Sequence, residues 1–453
     1  MGTLTFDTQN NIYATRLNIQ WFRVTSEGIE DLGSKEFYPD NAFYFCQNKV
    51  ENYNKVVITF YSLNMPKNRL KMRVIDYGYG TFFYGDELKG VKVSHNIDPI
   101  SSQISINTAD FNLVSKSDME YSFLTKQPLS IYFNGVLRAT SFVKSSKRTS
   151  KKSWNVKGED YIGVMDSIPY FGGMYFGADA YDLFVDIFTV AKVPYKISES
   201  LKGVLVYGYI PFTTCRDALM QVAFATQTVV NTANSDVVNV YYLDRESKQT
   251  IPLSRIMEGQ SFDDSDTVTG VEVTLHTYKS ITETLEAYNA DESGVGENIF
   301  VKFSEPLHDL TISYGDIVSY GTNYAVINAR SGCVLKGKKY EHTTQTRRKN
   351  NPVVLASEIE NVVSVTNATL VSSYNINDVL EKCYDWLVRT ETIKSKIVEG
   401  KHTENGVTVY DEVVNVGDTI EVETSYLGIK KGTVTKQSFG LTGGIVVKET
   451  EMK

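Results

Sequence analysis

GVLVYGYIPFTTCRDALMQVAFAT, residues Gly203–Thr226, is the stretch that decides the fold around it. It begins as a strand, Pro211 interrupts the pattern, and a helix is predicted from Thr214. The Thr214 side chain can accept hydrogen bonds from free amides of the first turn, and Asp217 occupies the carboxylate position of a capping box. An apolar stripe at helical spacing follows, and this predicts a helix packed on a sheet. The stripe comprises Ala218, Leu219, Val222 and Ala223, with Ala225 and Thr226 beside them.

Two further segments have helical periodicity. Asp179–Lys192 places Leu183, Ile187, Val190 and Ala191 on one face, and Pro194 stands just beyond its end. Asn377–Arg389 has a similar apolar face. Strand-like runs flank the first two helices, so residues 151–260 are predicted to form a small α/β domain. Those runs are Val204–Tyr209 and Val237–Leu243.

Residues 1–150 have the pattern of strands. Val56–Tyr61 is a short apolar strand, and Arg69–Val74 alternates as a strand with one wet face. Leu129–Phe142 is predicted to be a hairpin that turns at Asn134-Gly135. Lys144–Lys152 is polar and basic, and it is interpreted as a solvated loop and domain boundary, or as a docking site for an acidic partner.

The strand pattern returns after residue 260. In Gly270–Tyr278, apolar Val271, Val273 and Leu275 alternate with polar residues, and Lys336–Pro352 is predicted to be polar and exposed. The expected fold class is therefore α+β and β-rich. The predicted domains are residues 1–150, 151–260, 261–355 and 356–453, the last a β unit with one helix.

Composition narrows the class of protein. The chain has 453 residues, too many for one core, and a net charge of −8, which opposes nucleic-acid binding as the main function. The N-terminal MGTLTFDTQNN lacks the features of a signal peptide, and no apolar run is long enough to span a membrane. The four cysteines are far apart in sequence and are expected to be free thiols. They are Cys46, Cys215, Cys333 and Cys383.

The sequence motifs predict no catalytic, cofactor-binding or metal-binding residue, and no cofactor. The sequence has no GxSxG, HExxH, P-loop or GxGxxG motif. Gly172-Gly173 and Gly177 precede a helix, but Asp179 and Asp182 stand where a phosphate would bind. Asp263, Asp264 and Asp266 are clustered and are interpreted as a solvated turn. The histidines are isolated in sequence, and His276 is predicted to lie on the surface; the set is His95, His276, His308, His342 and His402.

Several stretches, in order from about residue 160 to the end, resemble one family: the central baseplate hub proteins of contractile phage tails and phage-derived, R-type bacteriocins. The opening segment is one of them. Gly270–Tyr278 resembles a strand of that family, and Gly337–Thr344 resembles its "GK-Y-H-T" stretch. The last part resembles its closing unit: an Asn367–Leu370 strand, the helix, then Gly417–Ile420 and Leu441–Gly444.

The resemblance implies a non-enzymatic structural protein with two β-barrel domains related to the tail tube. Residues 1–150 are assigned to the first barrel, and residues 261–355 with 356–453 to a discontinuous second one. Such hubs form homotrimeric rings that join the sixfold tube protein above to a threefold spike or central tip protein below, with other baseplate proteins around them. A tape-measure protein or DNA passes through the lumen without specific binding. The expected location is the baseplate of a virion or tail-like particle assembled in the bacterial cytoplasm, with no membrane anchor.

Two other functions remain open from the sequence. One is a tail-associated hydrolase of cell-wall peptidoglycan or polysaccharide, because the chain has many carboxylates. The other is a host-surface carbohydrate-binding tail protein, favoured by the 29 tyrosines. Around the opening helix, the polar residues are interpreted as a helix start and not as site residues. They are Thr213, Thr214, Arg216 and Asp217.

Overall fold

The computed structural model describes most of the chain and is β-rich, as predicted, with 55% strand and 13% helix. The described residues are 3–6, 12–26, 28–40, 42–46, 48, 50–65, 67–72, 74–75, 83, 87–115, 123–133, 136–353, 359–399, 401–404, 407–410, 413–440 and 446–453.

The N-terminal strands form two small sheets around a shared apolar core. One sheet has the order β4-β1-β6 and the other β3-β2-β5. Trp21, Leu17 and Phe6 are buried between them. The strands are β1 (Thr3–Thr5), β2 (Ala14–Thr25), β3 (Gly28–Phe37), β4 (Phe43–Phe45), β5 (Lys55–Leu63) and β6 (Val74–Ile75).

The predicted strand at Arg69–Val74 is wrong for most of its length. Residues 69–72 have no regular structure, and β6 begins only at Val74. Leu70 and Met72 nevertheless pack against the N-terminal core. The alternation therefore identified the buried side chains but not the backbone, because a loop can also bury alternate side chains.

The next strands form a meander that includes the predicted hairpin. β9 and β10 are antiparallel, with Val136 opposite Phe133, while the Asn134-Gly135 turn lies outside the described residues. β10 continues through Arg148 and pairs with β11, so the loop predicted at Lys144–Lys152 is confined to residues 149–152. The strands are β7 (Leu88–Asn96), β8 (Thr108–Val114), β9 (Pro128–Phe133), β10 (Val136–Arg148) and β11 (Ser153–Glu159).

Residues 160–251 contain the predicted α/β elements. Two of the helices occur where the sequence places them, with Asp179 and Thr214 as N-caps, and they pack together on short strands. The helices are α1 (Tyr161–Met165), α2 (Ala180–Ala191) and α3 (Cys215–Thr226). The strands are β12 (Pro169–Tyr170), β13 (Gly173–Asp179), β14 (Tyr195–Ile197), β15 (Leu205–Ile210), β16 (Thr213–Thr214), β17 (Val229–Asn231), β18 (Val238–Tyr241) and β19 (Thr250–Ile251), with a 3-10 turn at Glu199–Leu201.

Residues 253–387 are dominated by a long antiparallel ribbon made by two strands, β21 and β24. Its sheet has the order β22-β24-β21-β25, and β23 also pairs with β24. The last helix packs its apolar face on β21. The elements are a 3-10 turn (Leu253–Arg255), β20 (Ser261–Asp264), β21 (Gly270–Asn289), α4 (Ala290–Ser293), β22 (Gly296–Lys302), β23 (Leu307–Tyr320), β24 (Tyr324–Asn350), β25 (Val362–Val365) and α5 (Ile376–Leu387).

Two expectations in this region need correction or refinement. The Lys336–Pro352 stretch is exposed over residues 341–348, as predicted, but it belongs to β24 as far as Asn350. The Asn367–Leu370 strand is wrong: these residues form a turn. Tyr209 of β15 donates its amide to the Thr369 carbonyl at 3.2 Å, so the turn still binds the neighbouring sheet.

One large sheet joins segments that are far apart in sequence. Its order is β20-β26-β31-β30-β7-β8-β11-β10-β9, and β29 pairs with both β30 and β19. Strands on both sides of the predicted boundary at residue 150 therefore share a sheet with strands of the predicted C-terminal unit. The four domains and the two tube-like barrels stay predictions. The last strands are β26 (Glu391–Glu399), β27 (Lys401–Glu404), β28 (Val407–Tyr410), β29 (Thr419–Thr424), β30 (Gly428–Gly440) and β31 (Val446–Met452); Leu441–Gly444 lies outside the described residues.

Candidate functional site

Helix α3, the helix of the opening segment, binds three other parts of the chain along its length, and we call this arrangement the α3 joint. At its N-terminal end the Arg216 guanidinium donates two hydrogen bonds to the Ile104 carbonyl, at 3.0 and 2.6 Å, and lies 3.2 Å from an Asp166 carboxylate oxygen. The interpretation of Arg216 as part of a helix start only is therefore wrong. It ties the helix to the segment that leaves β7, a partner that sequence spacing does not reveal.

Of the other polar residues at this helix start, Thr214 caps the helix as predicted, whereas the Asp217 carboxylate binds a side-chain hydroxyl. The Thr214 hydroxyl accepts from the Asp217 amide at 3.1 Å, which is the predicted cap. The Asp217 carboxylate accepts from the Thr213 hydroxyl at 2.9 Å. These contacts lie within the segment itself, so they stabilise the start of α3 and point to no ligand.

The middle of α3 binds the turn at residues 367–370 through one side chain. Gln221 donates to the Asn367 carbonyl at 2.8 Å and accepts from the Thr369 amide at 2.8 Å. The same turn lies against Gly208 of β15, whose φ is +134° and whose Cβ, if it had one, would stand 2.3 Å from the Thr369 oxygen. Only glycine permits this close approach.

The C-terminal end of α3 is bound by α5 and the residue before it. Asn375 donates to the Ala225 carbonyl at 3.1 Å, and the Lys382 ammonium donates to the carbonyl of Gln227, the left-handed residue that ends the helix. A cation at this position interacts favourably with the negative end of the helix dipole and satisfies one of the free carbonyls. Burial lowers the pKa of Lys382 to about 8.

A cleft of about 480 Å³ opens beside this contact, between α5 and the segments near Ile100 and Tyr242. Its charges are mixed. Arg245 lies 3.5 Å from Asp385, and the Arg389 guanidinium covers the Trp386 ring at 5.2 Å. Because the cationic and acidic groups at its rim face one another, the cleft has no single charge that would select a cofactor.

The structure brings together two histidines that the sequence separates. His276 Nε2 lies 3.1 Å from the Thr366 carbonyl, which can only accept, so the proton of the neutral ring is on Nε2 and Nδ1 accepts from His342 Nε2 at 3.0 Å. The prediction that His276 is a surface residue is wrong, because the loop after β25 covers it and leaves it 6% exposed. Burial lowers its pKa. In the described part of the chain, no group of three or more potential metal ligands occurs.

The cysteines are buried free thiols, as predicted. Burial raises the pKa of Cys383 and of Cys46 to about 12, and that of Cys215 to about 11. Because the thiolate is the reactive form, these side chains are poor nucleophiles.

The remaining sequence candidates have ordinary structural surroundings. Asp179 accepts from the Tyr181 and Gly203 amides at 2.8 and 2.7 Å, so a carboxylate already occupies the start of α2 after the glycine cluster. The predicted turn at Asp263, Asp264 and Asp266 is wrong in part, because the first two belong to strand β20, which pairs with β26. All three are exposed, as predicted, and Asp263 pairs with Lys394 at 2.5 Å. Among the residues with described positions, no helix is both long and apolar enough to cross a bilayer.

A buried ion cluster, which we call the Glu399 triad, holds the large sheet together across its interior. Glu399 of β26 lies 2.5 Å from Arg138 of β10 and 2.8 Å from Lys448 of β31. Burial alone would raise the pKa of Glu399, but the two cations outweigh it and hold the pKa below its usual value. Nearby, His95 and Thr450 lie opposite Gln437 on the strands on either side of β30, and all three are buried.

Apolar side chains are exposed at the hairpin between β29 and β30, which we call the hairpin patch. Tyr426, Leu427 and Ile429 are 68, 45 and 59% exposed. Phe262 of β20 packs edge-on against Tyr426, with 5.2 Å between ring centroids. Exposed apolar side chains that adjoin in this way are typical of surfaces that bind another protein.

Three of the solved structures that are similar to this chain are named as tail proteins. The tail protein from Neisseria meningitidis MC58 is 13% identical, with a TM-score of 0.48, over 81% of this chain and 92% of that chain. The 43 kDa tail protein of prophage MuSo2 from Shewanella oneidensis is 6% identical, with a TM-score of 0.48, over 81% of this chain and 96% of that chain. Prophage tail protein gp18 from Listeria monocytogenes EGD-e is 10% identical, with a TM-score of 0.43, over 85% of this chain and 91% of that chain.

No protein-family model matches the chain, and no curated protein matches it in sequence. The three similar structures are named as tail proteins, the kind of protein that the sequence motifs resemble.

Proposed function

We propose that this chain is a structural hub subunit of a phage or phage-like tail baseplate. Three copies form a ring that joins a sixfold tail tube to a threefold spike, inside a virion or tail-like particle. The subunit has no catalytic function, and its partners are the tube protein, the spike or tip protein and other baseplate proteins. The lumen passes a tape-measure protein or DNA without specific binding.

One observation carries this proposal: several segments that carry the sequence resemblance, although far apart along the chain, contact one another, some of them at the α3 joint. The last three residues of Gly270–Tyr278 pair with the last three of Gly337–Thr344, with Tyr278 opposite His342. The 367–370 turn binds Gln221, and α5 binds the end of α3. Residues that are similar because of a shared fold are expected to contact one another in this way, whereas chance matches are not.

The joint also suits a subunit that has to keep its shape between two other proteins. It connects α3 to the segment after β7, to the turn at residues 367–370 and to the residue before α5 by hydrogen bonds to backbone carbonyls. Such bonds hold parts of a chain at fixed relative positions. A subunit that joins a sixfold tube to a threefold spike requires this.

The oligomeric state tests the proposal. Mass photometry of the purified chain, alone and mixed with the spike protein encoded beside it, is expected to show a three-copy species. A chain that stays monomeric with and without the spike would contradict the ring. Zymography on host cell walls and a glycan array test the two other functions, the hydrolase and the carbohydrate-binding protein. Activity in either test on the isolated chain would contradict a purely structural role.

A further inference from the structure

The hairpin made by β10 and β11 is strongly basic around its turn, and we call residues 144–157 the basic hairpin. Six exposed side chains of this stretch are basic and none is acidic, although the whole chain has a net charge of −8. One of the six pairs with Glu159 at 2.8 Å, and three others have no ion-pair partner in the described part of the chain. The residue paired with Glu159 is Lys144, the three without a partner are Lys147, Lys151 and Lys157, and the remaining two are Arg148 and Lys152.

The basic hairpin holds its charges on an ordered frame. Over residues 145–148, β10 pairs with β11 in a register that no bulge interrupts. The Arg148 guanidinium covers the buried Trp154 ring at 4.7 Å and donates to the carbonyls of Ser150 and Lys151, which fixes the turn. A surface whose charged groups are already in place loses little entropy when a partner binds, so the hairpin suits docking better than a flexible loop would.

Two of the unpaired lysines lie on the same face of the hairpin. Lys147 is opposite Asn155, and Lys157 follows two residues later on that strand, so both lysine side chains point to the same side. Asp110 of the neighbouring β8 lies opposite Lys157 in the register but also opposite Lys92 of β7, so one carboxylate faces two lysines. The hairpin therefore has an excess of positive charge that carboxylates of a partner would neutralise.

The opposite charge is concentrated where α4 leads into β22, and we call residues 290–297 the ribbon tip. All residues from 291 to 297 are exposed, and three of them are acidic while none is basic. Among the residues with described positions, these three carboxylates have no ion-pair partner. The Asn289 side chain caps α4 by accepting from the Asp291 amide at 3.1 Å, so the tip is ordered as well. Its acidic residues are Asp291, Glu292 and Glu297.

We propose that the basic hairpin of one copy binds the ribbon tip of a neighbouring copy. This inference rests on the proposed three-copy ring and names part of its subunit interface. The two surfaces differ, so the contact is heterologous: each copy gives its hairpin to one neighbour and receives a ribbon tip from the other. A contact of this kind can close into a ring with two different faces, as a ring between a tube and a spike requires.

A nucleic acid is a poorer occupant of the basic hairpin than a second copy. The chain is acidic overall, which opposes the approach of a phosphate backbone. The aromatic ring of the hairpin, Trp154, is buried and covered by Arg148, so it cannot stack on bases. The ribbon tip, in contrast, offers carboxylates that are exposed and unpaired in every copy.

Charge reversal tests the contact without disturbing a core, because the changed side chains are exposed. The hairpin variant carries Lys147→Glu and Lys151→Glu, and mass photometry of the chain mixed with its spike protein measures the three-copy species. The tip variant carries Asp291→Lys and Glu292→Lys. Each variant is expected to weaken three-copy association by about tenfold or more, because like charges then oppose one another. A chain with all four changes exchanges the two charges and is expected to recover most of the association.

A matched control separates this contact from an effect of net charge. Lys196→Glu with Lys279→Glu changes the net charge by as much as the hairpin variant does. Both lysines are exposed, on β14 and β21, and lie outside the two proposed surfaces. The control is expected to associate like the wild type, and an equal loss in the control and the hairpin variant would overturn the contact.

A cross-link tests the two surfaces directly in the wild-type chain. A carbodiimide joins lysines to carboxylates as amides only where the two groups are in contact. In a mixture of isotope-labelled and unlabelled chains, we expect peptides from the basic hairpin and the ribbon tip to be joined with one of each label. A ring that resists both charge reversals and lacks this cross-link would overturn the contact and leave the ring intact.

Two other results would also overturn the contact. A chain that stays monomeric with its spike protein contradicts the ring and the contact together. Retention of the wild type on DNA that the hairpin variant loses, with no change in the three-copy species, would assign the basic hairpin to a nucleic acid instead.

Discussion

Lys382 of α5 donates a hydrogen bond to the carbonyl oxygen of Gln227, the residue that ends α3. The contact places a half-buried cation at the negative end of a helix whose other end is held by Arg216. It joins the two helices of the α3 joint at the edge of the cleft.

The Lys382 contact predicts a pH dependence of stability. Because burial lowers the pKa of Lys382 to about 8, from 10.5 for an unfolded lysine, the folded chain binds fewer protons between these values. Stability is therefore expected to rise with pH through this window, by at most about 3 kcal/mol. Lys382→Met abolishes this rise and leaves the Gln227 carbonyl unpaired.

Urea unfolding of the wild type and Lys382→Met at several values between pH 7 and 10.5 measures this effect. The stability difference is expected to widen as pH increases. Lys336→Met, which removes an exposed partner of Glu286, is the control and should show a constant difference. If the stability difference between the wild type and Lys382→Met is also independent of pH, the lowered pKa of Lys382 is disproved.

Gly208→Ala is expected to destabilise the chain by more than about 2 kcal/mol, because the new Cβ would collide with the Thr369 oxygen and φ is unfavourable for alanine. Gly203→Ala is the matched control in the same segment. It has a φ of +81° but nothing within 4 Å of the new Cβ, so only the backbone cost of about 1 kcal/mol applies. Chemical denaturation measures the free energy of unfolding of both variants. Equal losses of stability would show that the close approach of Gly208 to the Thr369 oxygen is unimportant.

Arg216→Ala is expected to lower stability by about 1–3 kcal/mol, because the buried Ile104 carbonyl loses both of its guanidinium donors. Arg216→Lys keeps the charge but not the two-pronged geometry, and an intermediate loss is expected. Arg330→Ala removes an exposed ion pair with Asp316 and should cost about 0.5 kcal/mol or less. The measurement is the urea midpoint of each variant. An Arg216→Ala protein as stable as Arg330→Ala would contradict the role given to Arg216.

Glu399→Gln is expected to cost about 3–5 kcal/mol near neutral pH, because it leaves the buried Arg138 and Lys448 cations without a counter-charge. The pKa of Glu399 is lowered in the folded chain, so its stabilising effect is present above the unfolded pKa and is lost as pH falls through the folded value. The gap between wild type and variant should therefore close in acid. Glu449→Gln, which removes an exposed partner of Lys396, serves as the control.

Local features of the fold were predictable from the sequence. α3 begins at the predicted cap, and α2 and α5 agree with their predicted bounds within about two residues, because capping and helical spacing depend on neighbours in sequence. The β9–β10 hairpin was predictable for the same reason.

Long-range contacts account for what the sequence did not reveal. His276 is buried by residues near 342 and 366, and Arg216 binds the carbonyl of residue 104, so neither environment is visible from spacing. The Arg69–Val74 alternation identified two core side chains on a segment without a strand, since alternation alone does not supply a pairing partner. From the sequence, parts of the α3 joint could be recognised only as separate segments that resemble one family. That these segments contact one another is visible only in the structure.

The large sheet has a consequence for how the chain is made. β7 ends at Asn96, yet its partner β30 begins at Gly428, so the central pair of this sheet can form only after nearly all of the chain has been synthesised. Contacts of such high sequence separation slow folding. The α2–α3 elements are more local and can form earlier. During translation, the edge of β7 that will pair with β30 is therefore open to other chains for longer than the α2–α3 elements remain unfolded.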